Sequence, residues 1–249
     1  MLNTIIHGHK TPKHTLMIAH GLFGCARNWG VIAKRLSDER QVMAVDMRNH
    51  GQSPWNESHT YPEMAADLAD VIDQKWDVLG HSMGGKAAML LALNYPEKVR
   101  RLIVADIAPV TYTHEQNHHI EAMRRVDIAN IENRREASEQ LGNLDDRLKA
   151  FFLQSLDMKT RKWRLNLDAL EANMPNVIGF PEVSGTFEGH ALFLSGSNSD
   201  YVRSEHRACI KELFPNAHFA KIPDTGHWLH AEKPREFEQA ARTFLNLDL

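Results

Sequence analysis

Between residues 15 and 106, short unbroken apolar runs alternate with longer stretches of helical periodicity. This rhythm constrains the fold more than any other feature, because strands that are apolar at every position must be covered on both faces. TLMIA (Thr15 to Ala19), VMAV (Val42 to Val45), WDVLG (Trp76 to Gly80) and RLIVAD (Arg101 to Asp106) are the expected strands of a parallel sheet. Helices should lie between them. Tyr61 to Gln74 is expected as one, entered through Pro62 behind a Thr60 cap. After Gly80, residues Met83, Ala87, Leu90, Leu91 and Asn94 fall at offsets 0, 4, 7, 8 and 11, a mostly apolar helical stripe.

The rhythm stops near Tyr112. Glu115 to Ile128, Asn133 to Leu141, Leu144 to Ser155 and Leu165 to Ala172 are polar and helix-prone, with no apolar strand among them. Strands return as HALFLSG (His190 to Gly196) and HFAKIP (His218 to Pro223), and a helix over Pro234 to Leu247 closes the chain. The expectation is an α/β fold: a mostly parallel, doubly wound sheet with a helical cap inserted between two late strands. Residues 1–110 and 186–249 would form the core and 111–185 the cap, packed on the same domain because no linker or low-complexity tract separates them.

Composition narrows the partners. Against 32 Asp and Glu there are 29 Lys and Arg, and no basic run exceeds two residues, so nothing offers a footprint for nucleic acid. The first sustained apolar run, Leu16 to Ala19, is too short for a signal peptide or a membrane span. Two cysteines, Cys25 and Cys209, cannot build a disulfide framework. A reduced, cytoplasmic protein without membrane contact, monomeric or homodimeric, is expected.

The sharpest local signal is Gly80-His81-Ser82-Met83-Gly84-Gly85, a G-x-S-x-G-G where a buried strand ends and a striped helix begins. A serine pushed out on so tight a turn needs small neighbours, and the following helix directs free N–H groups at its oxygen. Ser82 is therefore the candidate nucleophile and the Met83 N–H an oxyanion donor. A second donor should come from Ala19-His20-Gly21-Leu22-Phe23-Gly24, with Leu22 preferred to Phe23 and His20 bracing the loop through its ring nitrogens. Asp46 to Ser53 follows a strand and is expected as scaffold.

A serine hydroxyl needs a base to take its proton and a carboxylate to orient that base. Among 15 histidines, His227 in Asp224-Thr225-Gly226-His227-Trp228 stands in the loop between the last strand and the last helix, at the sheet's carboxyl end. His206 and His218 lie outside that loop. His230 could pair with His227 around a metal, yet no HExxH or Cys/His cluster accompanies them, so no metal and no cofactor are expected. Two carboxylates are admissible. Asp200 follows the next-to-last strand in a Ser/Asn-rich turn, and Asp106 ends the strand after the nucleophile helix, close to Pro109. Asp106 is favoured, and the other reading of Asp200 is a cap for a helix over Tyr201 to Leu213.

HGLFG, DMRNHGQS, GHSMGG and DTGHW occur in the order and spacing of the α/β-hydrolase superfamily, which this chain resembles over nearly its whole length outside the cap. Through VADIAP and LSGSNSDYV it is similar to a bacterial esterase and acyl-CoA thioesterase group, in which the acid follows the strand after the nucleophile. That resemblance implies Asp106 as the acid. One departure is Asn49, where the superfamily's loop usually has glycine; asparagine tolerates the positive φ required there.

The expected activity is cleavage of small carboxylic esters, and of acyl-CoA thioesters, through an acyl-enzyme. Phe151, Phe152, Leu153, Met158, Trp163 and Met174 of the cap could floor an acyl pocket, and Arg124, Arg125, Arg134 and Arg135 could attract the phosphates of coenzyme A. Two rivals use the same fold: a cofactor-free carbon–carbon bond hydrolase or lyase, and a ligand receptor with little turnover. A halide-releasing enzyme would carry an aspartate in place of Ser82.

Overall fold

The computed structural model describes residues 1–113 and 116–247. Its strands are β1 (Thr4–His7), β2 (Leu16–Ala19), β3 (Val42–Val45), β4 (Trp76–His81), β5 (Val99–Ala105), β6 (Leu156–Asp157), β7 (Lys162–Trp163), β8 (His190–Gly196) and β9 (Ala217–Ile222). Seven form one sheet in the order β1-β3-β2-β4-β5-β8-β9, with every pairing parallel except β1 against β3. All residues of β2 and β4 are buried, as the apolar runs LMIA of β2 and VLG of β4 require. Each Leu or Ile placed there contributes about 1.5 to 3 kcal/mol relative to exposure.

Helices α1 (Gly30–Leu36) and α11 (Pro234–Asn246), the latter behind the one-turn α10 (Leu229–Glu232), cover one face, burying Ile32, Leu36, Phe237 and Phe244 against it. On the other lie α2 (Tyr61–Val71), α3 (Met83–Asn94) and α9 (His206–Leu213). The sheet is therefore doubly wound. At its amino end the buried Asp77 accepts from Arg40 Nη1 (2.8 Å) and from Arg100 Nε (2.7 Å) and Nη2 (2.6 Å).

Between β5 and β8 run α4 (Asn117–Arg124), α5 (Arg134–Gln140), α6 (Asp146–Leu153), α7 (Leu167–Ala172) and α8 (Met174–Ile178). The segment is tied to the loop after β3: Gly51 N–H donates to Arg164 O (2.8 Å), Asn166 N–H to Asn49 O (3.0 Å), and His50 bridges Leu165. Tyr61 Oη donates to Val177 O at 2.6 Å, and Lys86 Nζ to Ile178 O at 2.9 Å and to Gly179 O.

Several elements depart from the sequence expectation. β1 went unpredicted because it is a half-exposed edge with no apolar run. The inserted segment holds a strand pair after all, β6 against β7, too short at two residues each to leave a periodic signal. Glu115, the expected start of the first inserted helix, lies outside the described residues. Helix α2 stops at Val71 because Ile72 turns extended, ψ 112°, and buries its side chain. Helix α9 begins at His206 with Glu205 at its N-cap, so Asp200 caps no helix.

Candidate active site

Ser82 stands between β4 and α3 with φ 52° and ψ −120°, a conformation that costs about 1 to 3 kcal/mol and persists only where its surroundings impose it. Its N–H donates to Ala105 O (3.0 Å), and its C=O accepts from Lys86 N–H (3.0 Å). Space enforces the rest. A Cβ on Gly84 would lie 2.4 Å from Ala19 O, and one on Gly80 2.2 Å from Gly84 O.

The residue after β5, Asp106, also has positive φ (53°) and is fully buried. Its N–H donates to Leu194 O (2.9 Å), Oδ1 accepts from Gly196 N–H (3.0 Å), and Oδ2 lies 2.7 Å from His227 Nδ1. The carboxylate accepts only, so Nδ1 carries the imidazole proton and Nε2 keeps its lone pair. Asp200 is exposed, and its backbone carbonyl accepts from Arg203 Nε (3.2 Å). Of the two candidate acids, Asp106 is the one brought to His227.

His227 follows β9 and is held from two sides. The Tyr201 ring stacks on it with centroids 4.1 Å apart, and His81 Nε2 donates to its backbone carbonyl at 2.9 Å. Burial, then the charges of His227 and His230, pushes the His81 pKa well below its ordinary value, so His81 is a neutral strut. His230 is stacked on Trp29 with centroids 4.1 Å apart.

The loop after β2 presses on Ser82: a Cβ on Gly21 would sit 3.2 Å from Ser82 Cβ and 2.9 Å from His81 Nδ1. Neither Leu22 N–H nor Met83 N–H donates to an acceptor among the described residues. Phe23 N–H donates to His50 Nε2 at 3.2 Å. His20 braces the loop, with Nδ1–H on Gly21 O (2.8 Å) and Nε2 accepting from Met47 N–H (2.9 Å). Asn49 has φ 65°, the conformation expected of it. Ser82, His227, Leu22 and Met83 line one cavity of about 960 Å³.

A family model described as the α/β hydrolase fold matches residues 14–234. The chain belongs to the α/β-hydrolase family. This α/β hydrolase is 41% identical to the sn-1-specific diacylglycerol lipase ABHD11 of Danio rerio, over 96% of this chain and 79% of that one. It is 36% identical to esterase YbfF of Escherichia coli strain K12, over 93% and 92% of the two chains. A solved structure titled as a marine microorganism esterase superposes with a TM-score of 0.92 at 37% identity, covering 98% of each chain.

In the hydrolase cavity Phe151 and Phe152 line the wall, joined by Trp228, Ile107, Tyr61 and Tyr112, which sequence patterns did not single out. Leu153, Met158, Trp163 and Met174 do not line it; Trp163, for example, is buried with Nε1 on Met123 O at 3.1 Å. None of the four candidate arginines lines it either. Arg124 pairs with Asp168 (2.5 Å) and Glu171 (2.6 Å), Arg134 donates to Leu153 O and Leu156 O, and Arg135 pairs with Glu139 (3.2 Å). Lys86, buried four residues after Ser82, also lines the cavity, and burial pushes its pKa down to about 7. No helix among the described residues is long and apolar enough to cross a membrane.

Proposed function

We propose that this α/β hydrolase cleaves carboxylic esters through an acyl-enzyme on Ser82. His227 Nε2 takes the Ser82 proton as Oγ attacks the carbonyl carbon, and the N–H groups of Leu22 and Met83 receive the oxyanion. Collapse expels the alcohol, which takes the proton back from His227. Water then enters by the same route, and the acid leaves. Asp106 keeps the imidazole in the tautomer that presents Nε2. One observation carries the reading: Asp106 Oδ2 lies 2.7 Å from Nδ1 of His227, which lines the same cavity as Ser82 at the start of α3. The esterase and lipase names of relatives at 36 to 41% identity support the ester as substrate class.

The same steps open an acyl-CoA thioester, whose thiolate leaves without difficulty. Arg124, Arg125, Arg134 and Arg135 do not line the cavity, so any contact they make with the coenzyme would lie outside it. Residues 111–185 act as the cap that supplies Phe151 and Phe152 to the acyl side. A working environment in the cytoplasm and a monomer or homodimer belong to the same proposal.

The test is a panel of p-nitrophenyl esters of graded chain length beside acyl-CoAs, with Ser82→Ala as control and a fluorophosphonate to label the nucleophile. Serine-dependent release with label on Ser82 supports the reading. Turnover that survives in Ser82→Ala, or label on another residue, overturns it.

A further inference from the structure

His50 lies in the loop that the sequence marks only as scaffold, and it is fully buried. Its Nδ1 is 2.8 Å from Arg48 O. A carbonyl cannot donate, so Nδ1 carries the proton and Nε2 is a bare acceptor. Onto that lone pair Phe23 N–H donates, at 3.2 Å. Phe23 holds φ 62° directly after Leu22, and so strained a residue stays put only if both its peptides are held.

The two peptides flanking Leu22 are each fixed by one imidazole. His20 Nδ1–H holds Gly21 O, which shares a plane with Leu22 N–H, and His50 Nε2 holds Phe23 N–H in the next plane. The two rings meet edge-on with centroids 5.1 Å apart. Beyond His50 the contacts run into the inserted segment. His50 bridges Leu165, its neighbour Gly51 donates to Arg164 O, and Ser155 Oγ donates to Phe23 O at 3.2 Å. The oxyanion loop is thus held on one side by His50 and on the other by Ser155, and both are tied to residues 155–166.

We infer that His50 is a positioning residue that aims the Leu22 N–H at the developing oxyanion and transmits to it the seating of the cap. The inference rests on the ester-hydrolase reading. Full burial, with the charges of His20 and His59 beside it, pushes the His50 pKa well below its ordinary value, and its own loop carries two further charged groups, the cation Arg48 and the buried carboxylate Asp46. The ring therefore keeps its lone pair through neutral pH. A Leu22 N–H aimed wrongly would leave substrate binding intact and weaken only the transition state.

The test compares His50→Asn, which keeps a donor for Arg48 O but is too short to reach Phe23 N–H, with His50→Gln, whose amide oxygen reaches the Nε2 position. The readouts are kcat and KM on the wild type's best p-nitrophenyl ester, with inhibition by a trifluoromethyl ketone and by the product acid. His50→Asn should lose about tenfold or more in kcat, with KM within about threefold. It should lose ketone affinity in proportion and keep its affinity for the product acid. His50→Gln should recover to within about threefold of wild type. A folded His50→Asn with kcat within twofold of wild type, or one that loses ketone and acid affinity alike, overturns the inference. Should His50→Asn fail to fold, Ser155→Ala decides: a several-fold fall in kcat at unchanged KM supports the relay, and wild-type kcat overturns it. Wild type without Ser82-dependent turnover would instead sink the ester-hydrolase reading itself, so the two failures are distinguishable.

Discussion

Ser199 Oγ lies 2.5 Å from Asp106 Oδ2, the same oxygen that faces His227 Nδ1 at 2.7 Å. With Gly196 N–H on Oδ1, the carboxylate is gripped by three donors and has a single orientation. Asp106→Asn should therefore lower kcat by about 10³- to 10⁴-fold, because an amide can donate to Nδ1 and select the wrong tautomer. Asp200→Asn should stay within about twofold of wild type, since its carboxylate meets no imidazole among the described residues. Steady-state kinetics on both folded variants checks this; equal losses would mean the acid is misassigned.

Ser199→Ala removes one of the three donors and leaves the His227 contact in place. A loss of about three- to tenfold in kcat is expected, near the net worth of one ordinary hydrogen bond, because the two remaining donors still hold the carboxylate. The fall should appear in kcat with KM little changed, and a rise in KM alone would contradict it.

Lys86 offers a pH test. Its native pKa is about 7 against an ordinary 10.5, so between those values the unfolded chain holds a proton that the native state has released. The destabilisation is complete below pH 7 and is relieved as pH rises toward 10.5. Relative to Lys86→Met, wild type should gain about 2 kcal/mol between pH 7 and pH 9. Urea midpoints of both proteins at the two pH values measure it, and a constant difference would refute the native pKa.

At the opposite end of the sheet, Asp77→Ala would leave Arg40, whose side chain is only 1% exposed, without its buried partner. Removing one member of a buried pair costs about 3 to 5 kcal/mol. The loss should appear as a lower thermal midpoint. With Ser82 at the opposite end of β4, the kcat of the folded fraction should be unchanged.

The parallel core was legible because burial on both faces writes itself as runs such as LMIA and LIVA, and β3 and β8 carry the expected bounds unchanged. Ser82 and the His227 loop were legible for a related reason: tight turns at strand ends demand glycine. The two acids could not be separated by spacing alone. Their difference lies in the positive φ of Asp106 and in the Gly196 N–H that meets it, both products of strand pairing across β5 and β8. The relation between His50 and Phe23 left no trace either, since nothing local distinguishes a histidine that accepts from a backbone amide from one that faces water. The two-residue strands β6 and β7 and the half-exposed β1 fall below what periodicity resolves.

The parallel order places β9 at the sheet's far margin, and His227 arrives only behind it. Recovery of ester turnover during refolding therefore times the docking of the carboxyl-terminal strand, whereas fluorescence from Trp76, buried in the central strand β4, reports consolidation of the interior. A lag between the two signals would measure how long the molecule exists as a folded scaffold without His227 in place.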